Sequence, residues 1–172
     1  MAVENRVADR MPRFLLGPLS GGALQQKRSF LEGKLGQAIA SPILTLVDDP
    51  LIPRAFGSRL YDAEGLAAKR RPVFEKGVLR SYYIDTYYGK KLSMPPTTGS
   101  ASNLDWTLGL KSQAGLIAEA REGVFVTGFL GGNSIGTTGD YSLGIQGFMI
   151  RNGAVAEPVA EMNISGNQLA LW

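Results

Sequence analysis

The stretch GFLGGNSIGTTGDYSLGIQGF, Gly128 to Phe148, constrains this chain more than any other. Each glycine in a helix interior costs about 1 kcal/mol relative to alanine. Spaced this densely, they rule out a helix. GVFVTGFL (Gly123–Leu130) precedes the densest part as a strand-prone run, and Tyr141–Ile150 follows it as another. The segment therefore reads as a wide or bulged β-hairpin. Gly131 to Asp140 form its turn, where glycines allow positive φ and close backbone approach. Thr137, Thr138 and Asp140 can tie that turn through side-chain to backbone hydrogen bonds.

Two phosphate-binding readings fail here. A P-loop needs a lysine that reaches the β- and γ-phosphates, and no lysine or arginine lies between Gly128 and Phe148. A dinucleotide fingerprint needs a helix after its glycines, whereas the residues after Gly139 read as strand. A backbone that meets another chain closely fits better. Gly131, Gly132, Asn133, Thr137, Thr138, Gly139 and Asp140 are the candidate contacts for a partner or a peptide.

The flanking chain supports a β-rich domain. Ile43–Val47 is a β-prone run between prolines. Pro72–Glu75 and Val78–Ile84 form a hairpin turning at Lys76-Gly77, and Asn152-Gly153 makes a two-residue turn from which Ala154 begins the return arm. Ser112 caps a helix through about Ala120, with Leu116, Ile117 and Ala120 as its buried face and Gly123 as its stop. Ala23–Gly36 is a short helix or an irregular basic segment, with Leu24, Leu31 and Leu35 on one face beside Phe30. Leu51–Arg71 is a long loop and Ser93–Trp106 is turn-rich. The fold class is α+β, predominantly antiparallel β with a few short helices. Residues 1–172 form a single domain, and the apolar run up to Trp172 suggests a piece of a longer protein.

Two absences narrow the chemistry. The chain has no histidine and no cysteine. Ser-His-Asp and Cys-His catalysis are therefore excluded within it, as are the usual zinc ligands. Carboxylate-only magnesium or calcium sites stay possible. The net charge of +3 is too small to imply nucleic acid. No run approaches the ~20 apolar residues of a membrane span. MAVENRVADRM at the start lacks a signal-peptide core, so a cytoplasmic protein is expected.

Other constellations are weaker. Basic residues interleave with Tyr82, Tyr83, Tyr87 and Tyr88 between Ala68 and Lys91, which could serve nucleic-acid binding. A hairpin with packed tyrosine rings explains the same pattern. Asp48-Asp49 point to opposite faces if they lie on a strand, so they read as a turn signal. Asn163-Ile164-Ser165 is a glycosylation sequon without a secretory context.

Several segments together resemble the PmbA/TldD family. They are SGGALQQKRSFLEGKLG, TLVDDPL, GSRLYDAEGLAAKRRPVFEKGVLRSYYIDTYYGKKL, PTTGSASNLDW and TGFLGGNSIGTTGDYSLGIQGFMIRNGAVAEPVAEMNISGN. They look most like the carboxy-terminal domain of its PmbA (TldE) branch, over nearly the whole chain. The resemblance implies a cytoplasmic zinc metallopeptidase of two related subunits that degrades unfolded or leader-bearing peptides, including microcin precursors and an antitoxin. It implies that the TldD-type subunit carries an HExxxH helix and a later cysteine ligand. An older description calls PmbA a modulator of DNA gyrase.

Where that motif would fall, this chain reads ENRVADR, Glu4–Arg10. Charged arginine cannot ligate zinc. The expectation is a non-catalytic subunit, inactive alone, with no cofactor of its own and zinc in the TldD-type partner. Its partners would be that subunit and an extended peptide, with no membrane contact and nucleic acid disfavoured. The rival is a nucleic-acid or gyrase-linked module using Lys69–Lys91. A third possibility is a fragment without activity whose exposed edges self-associate.

Overall fold

Glycine and proline interrupt the chain so often that most regular elements stay short. The structure, a computed structural model, describes residues 1–159 and 161–172. In chain order the elements begin β1 (Ala2–Val3), α1 (Asn5–Ala8), α2 (Arg10–Leu16), α3 (Gly21–Gln25), β2 (Leu46–Asp48), β3 (Arg71–Glu75) and β4 (Val78–Leu79). They continue with α4 (Thr86–Leu92), β5 (Leu104–Trp106), α5 (Gln113–Ala120), β6 (Gly123–Ser134), β7 (Asp140–Arg151), β8 (Ala154–Asn167) and α6 (Gln168–Leu171). Two four-stranded sheets form, in the orders β1-β6-β7-β8 and β4-β3-β2-β5. Among the strands described, β1 alone pairs in parallel, against β6, and an isolated parallel bridge joins Ser20 and Tyr83. This is the α+β, mainly antiparallel class expected from the sequence.

The chain divides into two compact units. The first comprises Met1–Phe14, Leu108–Ile135 and Asp140–Asn167. Its frame is the long β6–β7–β8 meander. Asn152 and Gly153 both take positive φ (50° and 76°), which is the two-residue hairpin geometry, and Arg151 pairs with Ala154 across it. Ser112 caps α5, its Oγ accepting from Gly115 N at 3.2 Å. Ile117 of α5 packs on Phe125 and Ile150. Leu116, expected on the buried face, is 48% exposed. The helix has only two turns and presents a narrow apolar stripe. It ends at Arg121, with φ 53°, before Gly123 is reached.

The β6–β7 connection is shorter than expected. Gly131 and Gly132 stay in the ladder opposite Gly144 and Leu143, and β6 continues to Ser134. The register slips twice within β6, between Val126 and Gly128 and again between Phe129 and Gly131. The glycines thus accommodate bulges inside the strand instead of making the turn.

The second unit comprises Leu15–Thr107, Gly136–Gly139 and Gln168–Trp172. Leu15, Leu19, Leu24, Leu31, Phe74 and Leu79 are among its buried core. The Lys76-Gly77 turn has positive φ at both residues (47° and 78°). Its second arm ends at Leu79, earlier than expected, because Tyr83 turns to another partner. Tyr83 N donates to Leu19 O at 2.9 Å, and Gly21 N donates to Tyr83 O at 2.8 Å. The strand expected over Ile43–Val47 shifts to Leu46–Asp48, since Leu44 N closes a turn onto Ser41 O and leaves Ile43 exposed.

Of Ala23–Gly36, only the start is helical, within α3. Lys27 breaks it with φ 54°, yet Leu24, Phe30 and Leu31 are all buried while Leu35 is exposed. Asp85 caps α4, its Oδ1 accepting from Tyr88 N at 2.7 Å. The loop from Leu51 to Arg71 is pinned at several points, among them Glu64, whose Oε2 accepts from Thr86 N at 2.8 Å. Arg59 Nη2 donates to Ser100 O at 2.6 Å, and Gly57 N donates to Asn103 Oδ1 at 2.8 Å.

Candidate functional site

The bulged meander of the first unit holds an open groove of about 520 Å³. Gly131, Gly132 and Gly144 form its floor, from facing positions of β6 and β7. Gly132 has φ +124°, and a Cβ there would lie 2.2 Å from Ser142 O. Only glycine suits that position, because a side chain would run into the backbone of β7. Leu130 and Met162 supply apolar wall. Asn133, Ser142, Asn163 and Glu161 supply the polar groups.

β8 reaches this groove through a register break. Ile145 pairs with Met162 and Gly147 with Val159, so β8 carries extra residues opposite Gln146. Glu161 takes φ 57° at that break, an uncommon conformation for a residue other than glycine.

The structure divides the residues singled out in the sequence. Gly131, Gly132 and Asn133 line the groove. Thr137, Thr138, Gly139 and Asp140 lie at the hairpin end and do not. There Gly139 O accepts from Gln168 N at 2.8 Å, and Asp140 Oδ1 accepts from Asn167 Nδ2 at 2.9 Å. Ser142, Glu161 and Asn163 complete the groove and escaped sequence reasoning. They arrive from other strands through a register that no local pattern encodes. Asn163 stood out only as part of a sequon.

The basic and aromatic stretch does not make a stacking platform. Tyr82 and Tyr83 are buried in the second unit's core, and Tyr82 Oη donates to Leu31 O. Tyr87 is exposed, with Lys91 Nζ 4.6 Å from its ring centroid.

Asp48 and Asp49 also separate. Asp48 is buried and accepts from Ser102 N at 2.8 Å. Asp49 accepts from Leu51 N at 2.9 Å and meets Arg70 at 3.5 Å. Nearby, Asp62 Oδ1 accepts from Glu64 N and Leu66 N at 2.9 and 3.0 Å. Burial pushes the Asp62 carboxyl up, but those amides, Thr98 and Arg59 together hold it below the ordinary value. Burial first, and then the Asp48 charge, push the Tyr83 phenol well up. Tyr83 Oη lies near Asp48 but, among the described residues, makes no hydrogen bond of ordinary geometry. This cluster fastens the loop and is closed to substrate.

Glu4–Arg10 lies in the first unit. Glu4 precedes α1 and pairs with Arg6. The Arg10 guanidinium sits 5.7 Å from the Phe129 ring centroid. Two arginines engaged in this way do not fit a zinc ion. Among the described residues, no group of three or more histidine, cysteine, aspartate or glutamate side chains is placed to hold a metal. No helix among them is long and apolar enough to cross a membrane.

Comparison with known proteins fits this fold. The family model of the PmbA/TldA metallopeptidase C-terminal domain matches residues 1–172. The chain belongs to the PmbA/TldD family. Metalloprotease PmbA of Escherichia coli O157:H7 is 31% identical over 171 residues, 98% of this chain. A crystal structure from Bacteroides thetaiotaomicron, described as a candidate modulator of DNA gyrase, superposes with a TM-score of 0.96 at 48% identity over 99% of this chain. TldE from Thermococcus kodakarensis superposes with a TM-score of 0.82 at 26% identity over 96%.

The chain spans 38%, 39% and 40% of those three proteins. Within the PmbA/TldD family, what it matches is therefore a domain's worth of each relative. The bulged meander and its glycine floor lie inside the matched region.

Proposed function

We propose that this domain serves a non-catalytic, PmbA-type subunit of a zinc metallopeptidase. The zinc would be held by a TldD-type partner, and the domain would hold an extended peptide along the groove of β6, β7 and β8. The observation that carries this reading is Arg10 on Phe129, with Glu4 turned to Arg6, in the segment where the family's metal-binding motif would fall. A chain with neither histidine nor cysteine supplies no alternative set of zinc ligands of the usual kind.

The groove supports the peptide-holding half of the proposal. Backbone is bare along its floor, and β8 pairs with β7 on one side only. Main-chain hydrogen bonds at such an edge recognise extended peptides with little dependence on sequence. That suits substrates such as unfolded or leader-bearing peptides. The cellular setting proposed is the cytoplasm.

The test is to produce the protein carrying this domain alone and together with a TldD-type subunit. Cleavage of an unstructured peptide is then followed with and without zinc. Zinc-dependent cleavage only by the pair is expected. Cleavage by the PmbA-type protein alone would overturn the assignment.

A further inference from the structure

Among the described residues that line the groove, one is charged. Glu161 is exposed on it, and no ion pair engages its carboxylate among the described residues. The bulge in β8 places it there, at φ 57° and beside the Ile145–Met162 pair. Asn133 and Asn163 bring side-chain amides with oxygen acceptors, and Ser142 brings a hydroxyl. Among the described residues, no lysine or arginine lines the groove to neutralise Glu161.

Its apolar wall is equally specific. Leu130 is 63% exposed and Met162 lies next to Glu161 in sequence. A ligand that matches this arrangement has an aliphatic stem ending in a cation. A long basic side chain has both, since its methylenes cover apolar surface while its charge stays at the polar end. An acidic side chain would instead meet a like charge, and a purely apolar one would gain nothing from the carboxylate, which stays hydrated in the open groove.

We propose that the groove takes a lysine or arginine side chain of a bound extended peptide, with Glu161 as its counter-ion. This rests on the reading of the domain as peptide-holding and adds a preference to it. The main chain of the guest binds without regard to sequence, and the groove selects the charge of one side chain.

Three labelled peptides of one unstructured sequence test this. They differ at a single central position, which is lysine, norleucine or glutamate. Binding to the chain is read by fluorescence anisotropy at low and at high salt. At low salt the lysine peptide is expected to bind about fivefold tighter than the norleucine one, as an exposed ion pair allows. The glutamate peptide is expected to bind weakest, and added salt should shrink the differences.

Glu161→Gln should bring the lysine peptide to the norleucine affinity without changing the latter. Glu161→Lys should reverse the order of the lysine and glutamate peptides. Equal binding of all three peptides to the native chain would overturn the charge preference and leave the peptide-holding reading intact. A lysine preference that survives Glu161→Gln would overturn the role of Glu161. Failure of every peptide to bind would overturn both readings.

Discussion

Trp106 and Trp172 stack with their ring centroids 6.0 Å apart and their planes 19° from parallel. One indole belongs to β5 and the other to the last residue of the chain. Trp172 Nε1 also donates to Gln168 Oε1 at 2.7 Å, and Ser41 N donates to Trp172 O at 2.5 Å. The second unit's core is thus closed by a residue far from most of it in sequence.

Replacing that indole should therefore be felt. Trp172→Ala is expected to lower the second unit's stability by about 2 kcal/mol, less than for a fully buried tryptophan. Urea unfolding would measure the loss. The chain has only these two tryptophans, so fluorescence reports directly on their environment. Unchanged stability would mean that the stack contributes nothing.

Two neighbouring tyrosines should respond oppositely to loss of the hydroxyl. Tyr82 Oη donates to Leu31 O and accepts from Lys34 N, whereas buried Tyr83 Oη lies near the Asp48 charge with no hydrogen bond of ordinary geometry among the described residues. Tyr82→Phe should cost about 1 kcal/mol, and Tyr83→Phe should be neutral or stabilising. Folded Tyr83 keeps its proton above the ordinary phenol value of about 10, where the unfolded chain releases it. Stability is then fully present below that pH and falls as pH rises through it. Tyr83→Phe should flatten the fall in an alkaline melting series.

Asp62 governs the acid side. Its folded-state value lies below the ordinary one, so its contribution is complete above about pH 4 and is lost as pH falls through the lower value. Asp62→Asn should start less stable at neutral pH and lose less on acidification. Melting temperatures from neutral pH down to about pH 2 would show two curves that converge. Parallel curves would exclude Asp62 as the source.

Gly132 gives the sharpest structural test of the groove. Its φ is +124°, and an added Cβ would lie 2.2 Å from Ser142 O. Gly132→Ala should therefore cost about 2 kcal/mol or more through strain and overpacking. Peptide binding should weaken with it. A control at Gly131, where φ is +158° but an added Cβ meets nothing within 4 Å, should be milder because only the backbone strain remains.

What could be read from the sequence was local. Ser112 as a cap, and Lys76-Gly77 and Asn152-Gly153 as turns, each depend on residues within a few positions. α4 was not legible, because its Tyr87 and Tyr88 show no helical period, although Asp85 caps it as Ser112 caps α5. Leu116 misled because the apolar spacing on α5 does not reveal how narrow a stripe the sheet covers. In the groove, Gly131 and Gly132 announced themselves as glycines. Glu161 did not, since its place depends on how β8 slips past Gln146.

That slip has a further effect. Breaks in the β7–β8 pairing lie between Ile145 and Gly147 and between Phe148 and Ile150, and Pro158 lacks an amide hydrogen. The fourteen-residue outer strand is therefore no continuous ruler. A second chain laid along it can keep step for only a few residues before losing register. Long, regular strands are poor matches for such an edge.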